Sequence, residues 1–279
     1  MRLATVLLNG NPTPGLLSAD DTTVFPLHGY EDTVEFIAEG PEAWATHAEA
    51  AKDPAKHVVF EKILAPIANP PKFICIGLNY RDHAIEAKME LPKTPVVFTK
   101  FSNSIVGPGA TVILPKASTQ PDYEAELAIV IGVGGRNIAA ADWEQHVFGY
   151  TIVNDVSARD VQMATSQWSI GKSFDTFGPM GPAIVSLDEL GDPHNLAIKL
   201  EIAGEYLQNS NTSELVFKTG ELVAYLSSIM TLSPGDLIST GTPAGVGLGR
   251  TPKRWLQPGE TMTVEIEKIG KLTNPIAAE

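Results

Sequence analysis

The sequence holds little covalent or cationic material. One cysteine, Cys75, in 279 residues leaves no disulfide framework and no thiolate metal site. It lies in an apolar run and reads as a small buried hydrophobe. Basic residues are scarce, with 20 Lys and Arg against 33 Asp and Glu, a net charge of −13. That balance excludes a protein built to meet nucleic-acid phosphates. No apolar run approaches the roughly 18 residues of a spanning helix, so no membrane partner is expected. The apolar stretch before Asn9-Gly10 is too short for a signal peptide, and a cytoplasmic protein is expected. Several catalytic signatures are also missing. There is no Gly-x-Ser-x-Gly nucleophile elbow and no P-loop. The Gly-rich segments at 132–135 and 240–247 lack the third glycine of a dinucleotide fingerprint, with Asn137 and Arg250 in its place.

What is present is the composition of a folded protein, 43% hydrophobic and 19% charged. Gly (24) and Pro (21) are spread along the chain, which predicts many turns between short strands. Residues 1–70 carry 10 acids and 4 bases, nearly half of the net charge in a quarter of the chain. They predict a small N-terminal domain: a strand at Arg2–Leu8, and helices at Asp32–Ala38 and Pro41–Lys52. Pro66, Pro70 and Pro71 then mark a linker, and residues 71–279 form the main domain.

In that domain, Phe73–Gly77, Pro95–Phe101, Thr111–Leu114, Glu124–Val133 and Phe148–Val156 read as strands. So do Ala183–Leu187, Leu196–Ala203, Asp236–Thr240 and Thr261–Lys268. Helices are expected only at Tyr80–Met89, Ala140–His146 and Gly220–Met230. Strands and helices do not alternate, so a doubly wound sheet is excluded and an α+β fold rich in β-structure is expected.

Three segments concentrate chemistry. In Asp122-Tyr123-Glu124-Ala125-Glu126, strand periodicity puts Glu124 and Glu126 on one face. Two like charges there repel unless a cation lies between them, although a solvent-facing edge strand fits the pair too. Asp155 ends another apolar run, where an unpartnered carboxylate is costly, or where it caps residues 157–160. Three carboxylates without a thiol suit a hard divalent cation such as Mg²⁺, Mn²⁺ or Ca²⁺. His83 and Glu86 lie three residues apart, as a general-base dyad or as a plain surface pair. Lys172, between Gly171 and Ser173, is an oxyanion-stabilising group or a snorkelling lysine. The loop Thr240–Gly247 is a set of tight turns or a backbone cradle for a carboxylate.

In this order the segments resemble the fumarylacetoacetate hydrolase superfamily. The matching pieces are Gly77-Leu-Asn-Tyr-Arg-Asp-His83, Asp122-Tyr-Glu-Ala-Glu126 and Asn154-Asp-Val-Ser-Ala-Arg-Asp-Val-Gln162. Gly171-Lys-Ser-Phe-Asp-Thr-Phe177 and Thr240-Gly-Thr-Pro-Ala-Gly-Val-Gly247 complete the set. The resemblance implies a mixed β-sandwich roll, usually a homodimer, with Mg²⁺ or Mn²⁺ held by Glu124, Glu126 and Asp155. It implies that Lys172 steadies an oxyanion or enolate and that His83 and Glu86 activate water from a lid. Arg159, Gln162 and Thr242 would then hold substrate oxygens. Leu78 stands where some decarboxylating members carry Arg.

The leading expectation is metal-dependent hydrolysis of a carbon–carbon bond in a 1,3-dicarbonyl acid such as an acylpyruvate. The alternatives at the same site are decarboxylation or keto–enol tautomerisation of oxaloacetate, or ureidoglycolate-lyase-like activity. A protein that only binds structural Ca²⁺ is a third possibility, which His83, Glu86 and Lys172 argue against.

Overall fold

The structure, a computed structural model, describes all residues 1–279. Its centre is the strand Ala125–Ile131, every residue of which is buried. Side chains alternate across it. Ala125, Leu127, Ile129 and Ile131 enter the larger apolar core, while Ala128 and Val130 enter a second core behind the sheet. A strand covered on both faces reads as a continuous apolar run, which is why this segment shows no polar alternation. By the same period of two, Glu124 and Glu126 lie on the Ala128 side, away from the larger core.

This strand pairs antiparallel with Val147–Asn154 on one side and with Leu237–Ser239 on the other. They belong to an eleven-stranded mixed sheet. Its main path runs Val24–Pro26, Asn11–Leu17, Arg2–Leu8, Gly178–Ser186, Val147–Asn154, Ala125–Ile131, Leu237–Ser239, Phe73–Gly77, Val96–Thr99. Leu237–Ser239 and Phe73–Gly77 are parallel, which places the loops following both strands at one end of the sheet. A second sheet of five strands runs Glu205–Asn211, Ala197–Ile202, Thr261–Ile266, Gly270–Ala278, Val112–Leu114. Leu200, Val264, Leu272 and Ile276 of this sheet pack in the larger core with Leu127 and Ile129 of the first. The α+β, strand-dominated architecture expected from the sequence is the one the chain forms.

Residues 1–70 are set apart by acidity, yet across the expected boundary they share a sheet and a core with the rest. Arg2 and Leu3 pair with Val185 and Ile184. Leu3, Leu16, Phe36 and Ile67 pack with Cys75, Phe98, Val130 and Met180. The two N-terminal helices form as expected, at Thr33–Ala38 with Asp32 capping Glu35 N–H, and at Pro41–Ala50.

Four strands of three or more residues have no counterpart in the sequence reading: Asn11–Leu17, Val24–Pro26, Glu205–Asn211 and Gly270–Ala278. The first carries Pro12 and Pro14. Pro14 fits there as an acceptor, its carbonyl taking the Leu27 N–H at 2.9 Å. Two expected helices are shorter or tighter than their patterns. Tyr80–Met89 is helical only over Arg81–Glu86, and Ala140–Gln145 is a 3₁₀ helix.

Candidate active site

Register brings the carboxylates together. Ala125 lies opposite Asn154, so Glu124 and Asp155 leave their strands as neighbours, joined by the Asp155 N–H to Glu124 carbonyl bond of 2.9 Å. Glu126 follows on the same face. One carboxylate oxygen from each of Glu124, Glu126 and Asp155 lies within 4.8 Å of the others. All three are buried, so the edge-strand reading of the Glu pair is excluded, and Asp155 is not a helix cap, since the helix Arg159–Gln162 starts after Ala158 with no side-chain cap bond.

Basic side chains crowd the same spot. Lys172 Nζ donates to Glu124 Oε2 at 2.7 Å and to Asp155 Oδ2 at 2.8 Å. It is 2% exposed, so it is not a snorkelling surface lysine. An ammonium has three N–H groups, so one is left for a further acceptor. Its placement depends on Gly171, whose hydrogen faces Gln162. A Cβ there would meet the Gln162 backbone N at 2.4 Å. The short helices Ser169–Lys172 and Arg159–Gln162 therefore lie in direct contact.

Arg159 Nε pairs with Asp122 Oδ2 at 2.8 Å, and its Nη1 donates to Gln162 Oε1 at 3.0 Å. Its Nη2 lies 2.6 Å from Glu124 Oε1 but off the hydrogen-bond direction, so that buried nitrogen has no aligned acceptor. Asp122 in turn accepts the N–H groups of Gly247 and Leu248, which ties the Gly-rich loop to Arg159.

The charges divide unevenly. Burial works against ionised Glu124, but Lys172 and Arg159 outweigh it and hold the carboxyl at about 2. Glu126 has no basic partner of this kind. It accepts only Ser239 Oγ at 2.5 Å and Gly241 N–H at 3.0 Å. Burial first, then the charges of Asp155 and Glu124, push its carboxyl well above the usual range. The buried set holds four carboxylates, Asp122, Glu124, Glu126 and Asp155, against three cations, Lys100, Arg159 and Lys172. One uncompensated carboxylate beside two others, with only oxygen donors at hand, fits a hard divalent cation.

His83 and Glu86 stand across a cavity of about 410 Å³ from these groups. His83 Nδ1 lies 3.1 Å from Glu86 Oε2, and Glu86 Oε1 accepts Gly245 N–H at 2.9 Å. With Nδ1–H given to Glu86, the other ring nitrogen is the free base. The dyad helix is tethered from below by Asp82 to Ser210 Oγ and by Arg81 to two backbone carbonyls. Thr242 also lines the cavity, its hydroxyl accepting a bond of 2.8 Å from Gln208. Every site residue named from the sequence except Asp155 lines this one cavity, and Asp155 lies directly behind Lys172. Leu78, Met89, Phe98, Trp168 and Val246 form its apolar wall.

Sequence reading missed Lys100, Ser239 and the positioning part played by Asp122. Lys100 ends an apolar strand just as Asp155 does, so the same signal of a charge closing an apolar run was available. Ser239 had none, since a serine in a short strand is unremarkable until its neighbour is known.

A buried carboxylate cluster, a buried lysine and a His–Glu pair lining one cavity of a strand-built roll are the arrangement of a candidate enzyme active site able to hold a divalent cation. The chain belongs to the fumarylacetoacetate hydrolase family, since residues 72–277 match the family described as fumarylacetoacetate (FAA) hydrolase C-terminal. It is 44% identical over 288 residues to "Oxaloacetate tautomerase fahd2, mitochondrial" of Xenopus laevis, covering 99% of this chain and 90% of that protein. Among solved structures it is similar to a putative HpcE protein from Mycobacterium smegmatis, with TM-score 0.87, 37% identity, and 100% and 99% of the two chains covered. It is also similar to the 2-hydroxyhepta-2,4-diene-1,7-dioate isomerase of Mycobacterium marinum, with TM-score 0.82, 33% identity, and 100% and 99% covered. The chain is thus a member of an enzyme family. No helix is long and apolar enough to cross a membrane.

Proposed function

We propose that the protein interconverts the keto and enol forms of a β-keto diacid such as oxaloacetate, with Mg²⁺ or Mn²⁺ held by Glu124, Glu126 and Asp155. The observation that carries this reading is the arrangement of one cavity. A free imidazole nitrogen lies on one wall, and a lysine with a spare N–H lies among carboxylates on the other. Enolisation needs that pair: a base at carbon and positive charge at the oxygen. The cation, when bound, supplies further positive charge toward that oxygen.

His83 takes the proton from the carbon between the carbonyl groups, and Glu86 steadies the imidazolium that results. The electron pair moves onto the neighbouring keto oxygen, which the third N–H of Lys172 meets. Arg159 and Gln162 orient the substrate carboxylate, and Thr242 accepts or donates at the other end. A proton from solvent at that oxygen completes the enol while the His83 imidazolium returns its own to solvent, and reversal returns the ketone. The apolar wall keeps water from competing for these groups. The field of a net charge of −13 opposes an anionic substrate, so capture rests on the cation, Lys172 and Arg159.

The names of the relatives favour this over hydrolysis of an acylpyruvate, which was the leading expectation from the sequence. Both reactions pass through an enolate, and they differ in whether His83 serves carbon or water. The same reading carries a homodimer, a cytoplasmic location and no nucleic-acid partner. To test it, the ultraviolet decay of enol-oxaloacetate is followed with Mg²⁺ or Mn²⁺, with products identified. Acceleration with oxaloacetate intact supports tautomerisation. Carbon dioxide release would mean decarboxylation, and fragments from an acylpyruvate hydrolysis. No acceleration with either metal sinks the proposal.

A further inference from the structure

Lys100 is a buried lysine that no step above uses. It follows the strand Val96–Thr99, and its side chain is fully enclosed. All three of its N–H groups are taken within the protein. They go to Asp155 Oδ1 at 2.8 Å, to the Val156 carbonyl at 3.2 Å, and to the carbonyl of Lys172. It does not line the cavity, so it cannot touch substrate. The fold makes room for it: a Cβ on Gly178 would lie 3.4 Å from Lys100 Cε and 2.9 Å from Ser104 Oγ.

We propose that Lys100 is a positioning residue that fixes two functional groups at once. By holding Asp155 Oδ1 it leaves Oδ2 to Lys172 and sets the orientation of a carboxylate that lies beside Glu124 and Glu126. By holding the Lys172 carbonyl it fixes the backbone from which the Lys172 ammonium reaches into the cavity. One side chain thereby ties a cation ligand to the group that meets the substrate oxygen. Outer partners of ligating carboxylates act in this way, and their loss costs about 10–100-fold in metal affinity. A lysine that only balanced charge would behave oppositely. Removing it would leave the carboxylates more negative and tighten cation binding.

The inference rests on the metal reading proposed above, and the test separates the two. Mn²⁺ binding without substrate is titrated by electron paramagnetic resonance for wild type, Lys100→Met and Lys100→Gln. Tautomerase kcat and KM are then measured at saturating Mn²⁺. The expected result is Mn²⁺ affinity about tenfold or more weaker in Lys100→Met. Its kcat falls at least as much at saturating metal, because Lys172 is released, while KM changes little. Lys100→Gln, which keeps an uncharged amide donor with two N–H groups, lies between the two. Should the Met variant fail to fold, the Gln variant carries the comparison alone. Unchanged or tighter Mn²⁺ binding in the folded variants overturns the role of Lys100 and leaves the metal site standing. Absence of Mn²⁺ binding in wild type overturns both.

Discussion

The two walls of the cavity are built on different terms. The carboxylate wall comes from the middle of an eleven-stranded sheet, and its charged groups are 5% exposed or less. Each of those groups has at least two polar contacts, and all but Glu126 have a partner of opposite charge. The His83–Glu86 wall stands on a six-residue helix with only Ala84 buried, and its two side chains are 15% and 18% exposed. An isolated helix of that length is not stable in water, so its place depends on its tethers. The difference teaches a division of labour. The wall that fixes charge is part of the core, and the His83–Glu86 wall is attached to it by a few hydrogen bonds.

The strongest way to break the comparison is Asp155→Ala. It removes one acceptor from both Lys100 and Lys172, and uncompensated buried charge costs about 3–5 kcal/mol. Stability and activity are expected to fall together, seen as a large drop in thermal midpoint with loss of tautomerase turnover. A variant as stable as wild type would show that this wall is not part of the core's charge balance.

Changes on the other wall should separate the two properties. His83→Ala is expected to lower kcat by about 10²–10⁴-fold. Its stability should change by less than about 1 kcal/mol, because the ring lines a cavity and Glu86 keeps the Gly245 N–H. Gly249→Ala is a gentler probe of the same wall. A Cβ there would lie 2.4 Å from Glu86 Cδ, so the carboxylate must leave His83 or Gly245. Turnover should drop while Mn²⁺ affinity stays unchanged. A parallel loss of Mn²⁺ binding would mean that the walls are one unit.

The smallest effect is a pH slope confined to the carboxylate wall. Glu124 is held at about 2 against an ordinary value of 4.5. Its contribution is therefore complete above 4.5 and is lost as pH falls toward about 2. Glu126 is shifted upward, so the native state binds its proton more tightly than the unfolded chain does. Without a cation, that stability is present at low pH and is lost as pH rises through the raised value. Metal-free protein should therefore lose thermal midpoint as pH rises above the ordinary value of 4.5, by about 2–4 °C for each kcal/mol. Mn²⁺ should abolish the slope. A flat profile in EDTA would mean that Glu126 is charge-balanced without a cation.

Much of this was legible in the chain, for identifiable reasons. Alternation fixes that Glu124 and Glu126 share a face, because strand geometry is local. The spacing of His83 and Glu86 fixes that they can touch, because a helical turn is local. The order of the five segments was enough to indicate the family. The strands at Asn11–Leu17 and Gly270–Ala278 were not legible, since prolines and glycines mask strands whose partners supply the pairing.

Tertiary structure alone decided how these pieces meet. The pairing of Ala125 with Asn154 puts Asp155 beside Glu124, and no local pattern encodes that register. Lys100 and Lys172 are 72 residues apart in sequence, and the contact between them follows from packing. Whether a lysine at the end of an apolar strand is a surface charge or a buried strut depends on what the fold lays over it. Local sequence sets which groups can share a face. Burial, which sets the energy of their charges, exists only once the sheet has closed over them.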